Sequence, residues 1–175
     1  MNVTVLHYLE KEKDKVHDMV VDQVARALRA GKHKVSVLGV HGDVGKMRAG
    51  LVRRKPDLVF NLMETFGNNQ LGAIGVVGFL DLLGLTYTGG GPGEFYIQED
   101  KALAKKLLAF EGLRYPEYAV FSQDADLETG GHLRMPLFVK PLRMDASIGI
   151  DAGSLVHSTR EMMDRVLSIH KKVKD

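Results

Sequence analysis

The chain contains no cysteine, which excludes disulfides and thiolate metal sites and fits a reducing compartment. It has little excess of charge of one sign. At a net charge of +2, nothing points to a nucleic acid or a membrane surface as partner. Its lysines and arginines are scattered, with local clusters only at Arg53–Lys55 and Lys171–Lys174. A membrane-length apolar run is also missing, because "GAIGVVGFLDLLG" is broken by Asp81 and is too short to span a bilayer. The opening "MNVTVLHYLEKEK" has no basic segment followed by an apolar one, so no signal peptide is expected and the cytoplasm is the expected compartment. Seven histidines lie dispersed, without H-x-x-x-H spacing or a carboxylate companion, which leaves no zinc pattern. In "GVHGDVGK" a phosphate-binding P-loop would need glycine at Val40 and serine or threonine at Met47, and both are absent. Asp124 and Asp126 form a fragment of a calcium loop without its remaining ligands and read as a solvated turn.

What is present is a core-forming chain. At 175 residues, 45% hydrophobic and 26% charged, it has room for one large domain or two small ones. "NVTVLHYL" is a β-branched run and predicts a strand. Val16, Met19, Val20, Gln23, Val24, Ala27 and Leu28 follow helical spacing, and Gly31 stops that helix. "KVSVLGV" (34–40) predicts a second strand and "VGKMRAGLVRRK" a second helix that ends before Pro56. "DLVFNLM" (57–63) is apolar on both faces, as a central parallel strand requires. "LGAIGVVGFLDLLG" then predicts a buried helix ending at Gly84, and "LTYTG" a short fourth strand. The alternation is that of an α/β, doubly wound parallel sheet. From residue 99 the texture changes. A helix from Lys101 to Phe110 is followed by predicted strands at Tyr118–Phe121, Leu133–Lys140 and Ile148–Val156. "STRE" (158–161) is a capping box, in which Ser158 and Glu161 can satisfy each other's N–H groups, and it opens a helix that runs to the last residues. The expected division is therefore 1–98, an α/β domain, and 99–175, a partly antiparallel α+β unit.

Three features carry candidate chemistry. Gly72, Gly75 and Gly78 recur every three residues within one helix, at about 1 kcal/mol each, which predicts close packing against another element. "YTGGGPGEFYIQEDK" places a glycine-rich turn, Gly89 to Gly93, between the fourth strand and a helix start bearing Glu99, Asp100 and Lys101. Glycines beyond the carboxyl end of a parallel strand let backbone N–H groups approach an anion; a plain linking loop is the alternative. In "MPLFVKPLRMDASIGI", Lys140 stands at the lip of an apolar strand that Pro141 stops. A lysine there calls for a fixed anion, unless it is simply an exposed edge residue. Ser147 and Gly149 follow in a turn that can fold over a polyphosphate.

Taken together, "PDLVFNLMETFG", "GFLDLLGLTYTGGG", "DKALAKKLLAFEGLRYPEYAVF" and "PLFVKPLRMDASIGI" resemble the D-alanine–D-alanine ligase family of ATP-grasp enzymes over residues 56–160. The resemblance implies a pre-ATP-grasp domain followed by the first part of an ATP-grasp fold. It implies coupling of a carboxylate to an amine through an acyl phosphate, with ATP and Mg2+ as cofactors and a small amino-acid-like substrate; a homodimer is compatible with it. Carried over by position, Lys101 and Lys140 bind ATP phosphates, Ser147 and Gly149 form the lid, and Glu64, Thr65, Gly89 and Gly90 border the substrate pocket. The catalytic arginine, the adenine-hinge strand and the metal-binding Glu and Asn of the family correspond to no residue up to Asp175, so the chain is expected to be an N-terminal portion, inactive alone. Two departures concern the amino-acid side. Met63-Glu64-Thr65 stands where the ligases carry Leu-His-Gly, and Asp145-Ala146-Ser147 where they carry Gly-Ser-Ser. The glycine- and serine-rich turn with its glutamate after the first strand is also absent. The competing expectations are a non-catalytic binding module that keeps the fold and, more weakly, a plain nucleotide-binding α/β domain.

Overall fold

The computed structural model describes residues 1–11, 18–69, 71–122, 132–144 and 147–173. It separates into two units, Met1–Tyr96 and Ile97–Asp175. In the first, strand β1 (Asn2–Tyr8) is central, flanked in parallel by β2 (Lys34–Val40) and β3 (Leu58–Leu62). Side chains alternate along a strand, and β1 uses both faces. Leu6 joins Leu38, Met47, Leu51, Val59, Val76 and Leu80 on one side. Val5 joins Val21 and Ala25 on the other. Helix α1 (Met19–Ala30) therefore covers one face, and α2 (Val44–Arg54) and α3 (Gly72–Leu82) the other, which is the doubly wound arrangement. Each of the fully buried Leu6, Leu51 and Leu80 is worth about 1.5–3 kcal/mol of burial.

Local signals set the helix ends. Asp18 caps α1 by accepting the Val20 N–H at 2.8 Å; Val16, expected within this helix, lies outside the described residues. Lys55 ends α2 in a left-handed conformation, φ 44°, immediately before Pro56. The fourth strand is reduced to one parallel bridge between Val59 and Tyr87, made by Val59 N–H to Thr86 O (2.8 Å) and Thr88 N–H to Val59 O (3.0 Å). The cause is local: the Asn61 N–H, next in the ladder, donates to the Thr88 hydroxyl at 3.0 Å, and the chain then turns through Gly89 at φ +100°.

The glycine turn differs from expectation. Pro92 opens a separate helix α4 (Pro92–Glu99), and Asp100 is the cap of the next helix, α5 (Lys101–Phe110). Proline suits the first helical position because it forfeits no intrahelical hydrogen bond there.

The second unit is less regular than the sequence predicts. Tyr118–Phe121 forms no strand, and of Leu133–Lys140 and Ile148–Val156 only β4 (Leu137–Phe138) and β5 (Leu155–Val156) pair, antiparallel. Pro136 and Pro141 bracket β4 and cannot donate to a ladder. Before β5, left-handed Ser147 and Gly149 and a 3-10 turn at Ala152–Ser154 take up the chain. Helix α6 (Thr159–Lys172) starts at Ser158, whose hydroxyl accepts the Glu161 N–H at 3.2 Å. The acid of the box accepts the N–H of His157, one residue before the cap, at 2.8 Å.

Candidate functional site

Glu64, Thr65, Gly89 and Gly90 belong to the first unit, beyond the carboxyl ends of its strands, where ligands bind in open α/β sheets. Here the loops leaving β2 and β3 close on each other. The Gly67 N–H donates to His41 O at 2.8 Å, and a Cβ on Gly42 would stand 3.0 Å from the Gly67 Cα. The Tyr8 hydroxyl donates to Gly67 O at 3.2 Å and its ring lies 5.6 Å from that of His41. The Thr65 hydroxyl donates to Asn69 O at 2.8 Å, so it is committed to its own loop, whereas Glu64 is exposed. Gly89 takes φ +100°, and a Cβ on Gly90 would meet the Glu94 Cβ at 2.6 Å. Both glycines are thus required by the backbone path, whatever they bind. The sequence reading did not single out Tyr8, His41 or Gly67; aromatic residues at the ends of two adjacent parallel strands were the available signal.

Of the three helical glycines, Gly72 fits the close-packing expectation, with the Phe66 Cβ 2.5 Å from where its own Cβ would be. Gly75 meets no atom within 4 Å, and Gly78 meets only the Pro92 Cγ at 3.7 Å, an ordinary contact.

The Asp43 carboxylate occupies the start of α2, accepting the Lys46 N–H at 2.9 Å. The helix start in "GVHGDVGK" is therefore capped by the chain's own anion.

Lys101, Lys140, Ser147 and Gly149 belong to the second unit. Asp100 sets the position of Lys101: its carboxylate accepts the Ala102 and Leu103 N–H groups at 3.0 and 2.9 Å and fixes the start of α5. From the first turn, the Lys101 ammonium donates to Leu142 O at 3.2 Å and Met144 O at 2.8 Å. These carbonyls lie in the segment that joins Lys140 to Ser147, so one contact set ties all three candidate positions together. Arg143 from the same segment bonds Asp100 at 3.2 Å. Burial alone would raise the Asp100 carboxyl, but the two N–H donors and the Arg143 guanidinium outweigh it and hold it below its ordinary value. Lys140 itself is exposed and follows β4 by two residues. Ser147 and Gly149 form a tight turn at φ +60° and +72°, closed by Ile150 N–H to Ser147 O at 3.0 Å. The preceding Asp145 and Ala146, and the Asp124–Asp126 fragment, lie outside the described residues.

A further cation escaped the sequence reading. Lys105, one turn after Lys101 on α5, donates to Pro116 O at 3.3 Å and sits 4.8 Å above the Tyr118 ring. Desolvation first, then the charge of Lys140, lowers its pKa. The signal was available as a lysine at i+4 from Lys101.

No protein-family model matches the chain. By sequence it is 35% identical over 128 residues to the D-alanine–D-alanine ligase of Rhizorhabdus wittichii, covering 73% of this chain and 38% of that protein. It is 29% identical over 148 residues to the ligase of Anaplasma centrale, covering 85% of this chain and 67% of that protein. Among solved structures, D-alanine–D-alanine ligase from Bacillus anthracis complexed with ATP shares the fold at a TM-score of 0.71 and 20% identity, over 97% of this chain and 54% of that one. The chain is thus a sequence relative of the D-alanine–D-alanine ligases and shares their α/β, ATP-grasp architecture, and it spans about half the length of most of the relatives it matches.

Proposed function

We propose that this chain supplies the N-terminal α/β domain and the first ATP-grasp segment of an ATP-dependent carboxylate–amine ligase that works through an acyl phosphate in the cytoplasm. In this reading residues 1–98 border a small amino-acid-like substrate through Glu64, Thr65, Gly89 and Gly90, and residues 99–175 hold the phosphates of ATP. The observation that carries it is the tie from Lys101 to Leu142 O and Met144 O, which gathers Lys101, Lys140 and the Ser147–Gly149 turn. Cations and a backbone turn are what a polyphosphate needs, because phosphoryl transfer depends on positioning and charge neutralisation. In this reading the exposed Lys140, whose charge is felt at Lys105, is the arm that meets the phosphates, and Lys101 holds the loop that follows it.

Magnesium accompanies ATP in this reading. Among the described residues there is no group of three or more His, Asp or Glu side chains to hold a metal, and no step is assigned to one. The exposed Glu64 stands where the ligases carry histidine, and an anion there attracts an amine or guanidinium and repels a carboxylate. The amino-acid side is therefore proposed to differ from D-alanine.

The test is calorimetric titration of ATP into the 175-residue chain and its variants. Lys140→Ala is expected to weaken binding by about 2 kcal/mol, while Lys106→Ala, an exposed control on α5, leaves it unchanged. Equal affinity for wild type and Lys140→Ala removes the assignment. A Lys101→Ala variant that loses stability but keeps its affinity would make Lys101 a loop staple and leave Lys140 as the phosphate ligand.

A further inference from the structure

We propose that Arg165, on α6, is the positioning residue that presets the Ser147–Gly149 turn for a polyphosphate; the inference rests on the reading of that turn as a phosphate lid. Arg165 is remote in sequence from every residue of the proposed grip, and its side chain is only 10% exposed. Its guanidinium gathers three acceptors from the segment that follows the turn. One terminal nitrogen donates to the Gly149 carbonyl at 2.6 Å and to the Ser154 hydroxyl at 2.9 Å. The other donates to the Asp151 carboxylate at 3.0 Å. Nε is buried without a hydrogen-bond partner among the described residues, so the hydrogen bonds of the guanidinium there are those of its two terminal nitrogens.

The bond to Gly149 fixes the turn because of what sits on the other side of the same peptide. The next N–H, of Ile150, donates to Ser147 O at 3.0 Å. The peptide plane between Gly149 and Ile150 is therefore pinned at both ends, its oxygen by Arg165 and its N–H by Ser147. The position takes φ +72° and a Cβ there would lie 2.9 Å from the Pro141 Cγ, so the turn admits only glycine. Ser147, also left-handed at φ +60°, keeps a sparsely populated conformation only where its surroundings impose it. A peptide flip at Gly149 would release Arg165 and swing a carbonyl dipole towards the face from which the turn would meet an anion. Pinning that carbonyl to an arginine prevents the flip and removes an ordering cost from binding. Arg165 touches no phosphate in this scheme and acts through the Gly149 carbonyl. Asp151 and Ser154 hold the guanidinium in place, with Asp151 accepting the Gly153 N–H at 2.8 Å and the Ser154 hydroxyl accepting the Asp151 N–H at 3.1 Å.

The experiment compares Arg165→Lys and Arg165→Ala with wild type by two readouts on the 175-residue chain. Amide hydrogen exchange comes first. Ile150 is expected to exchange about tenfold faster in Arg165→Lys, because an ammonium lacks the fork that serves three acceptors, while Ala104 and Val173, bonded to Asp100 O and Ile169 O, keep their protection. Equal acceleration at all three amides marks a general loss of structure, and unchanged Ile150 marks an idle contact; either overturns the proposal. The second readout is calorimetric titration of inorganic triphosphate, measured well below the melting temperature. Affinity is expected to fall about tenfold in Arg165→Lys and at least as far in Arg165→Ala. Wild-type binding that Lys140→Ala weakens but the Arg165 variants do not would overturn the role of Arg165 alone. No binding by wild type would overturn the phosphate reading itself, and this inference with it.

Discussion

The three glycines of α3 allow the packing argument to be tested in sign as well as size. Alanine in place of glycine inside a helix gains about 0.8–1.0 kcal/mol of propensity, and the surroundings decide what is left of it. At the exposed Gly75 an added Cβ meets nothing within 4 Å, so Gly75→Ala should stabilise the first unit by most of that amount. At Gly78 the nearest atom is the Pro92 Cγ at 3.7 Å, an ordinary contact, and Gly78→Ala should stabilise by about as much. Gly72 is the opposite case. Its Cβ would lie 2.5 Å from the Phe66 Cβ and 2.7 Å from the Phe66 backbone nitrogen, a clash that no rotamer relieves. Nor can either side retreat freely, because the Gly72 N–H and the Phe66 N–H both donate to Asn69 O, at 2.9 and 3.2 Å. Overpacking costs about 1–3 kcal/mol, so Gly72→Ala should lose up to about 2 kcal/mol after the propensity gain. The assay is urea unfolding followed by circular dichroism, with amide exchange at Val5 and Val59 reporting the first unit by itself. The gap of about 1–3 kcal/mol expected between Gly75→Ala and Gly72→Ala corresponds to roughly a five- to a hundredfold gap in exchange rate. A Gly72→Ala chain as stable as the Gly75→Ala chain, or a Gly75→Ala chain less stable than wild type, would refute the reasoning.

Three further outcomes follow from the second unit. Ser158→Ala removes the cap that accepts the Glu161 N–H and should destabilise α6 by about 1 kcal/mol, with Ser158→Asp retaining most of it in the same unfolding assay. Asp151, Glu161 and Asp100 are all held below their ordinary values, Asp151 chiefly by Arg165 and Glu161 chiefly by the His157 N–H. Carboxyls depressed in the folded state contribute stability that is fully present above their unfolded pKa of about 4 and is lost as pH falls through the folded values. Urea midpoints should thus be level from pH 7 to 5 and fall below that, and a flat profile down to pH 3 would contradict the pairings. Lys140→Ala removes one of the two influences that lower Lys105, so the Lys105 ammonium should titrate at a higher pH by NMR. An unchanged titration would separate the two lysines.

The first unit was legible because its information is local and repeated. The β-branched run at 2–9, the stop at Gly31, the break before Pro56 and the two-sided apolar strand at 57–63 each specify an element without knowledge of the rest. The misses there also have local causes. The fourth strand shrank to a bridge because Thr88 offers the Asn61 N–H its hydroxyl. Helix α4 was hidden because Gly91 and Gly93 around Pro92 read as breakers, although Pro92 itself is a sound first helical residue. The capping box of α6 was placed correctly, yet its acid took the N–H of His157, a choice between neighbouring donors that spacing does not settle.

The second unit was less legible for a different physical reason. Its route from Lys140 to Ser154 contains little repeating structure, and distant polar groups hold it in shape. Lys101 reaches carbonyls 41 and 43 residues away, Arg143 reaches Asp100 across 43, and Arg165 reaches Gly149 across 16. No periodicity encodes such pairs, so the predicted strands at Leu133–Lys140 and Ile148–Val156 followed apolar composition and missed the turns between them. A segment that must present donors to an anion benefits from this construction. A regular ladder would consume its N–H groups, whereas an irregular turn leaves their direction to whatever pins the opposite end of each peptide. Lys101 and Arg165 both do so by binding carbonyls, which anchors the oxygen side of the chain to cations set on two helices. A segment built this way hides its shape from the sequence because its order comes from charges supplied elsewhere in the fold, and the phosphate role proposed for it draws on that same construction.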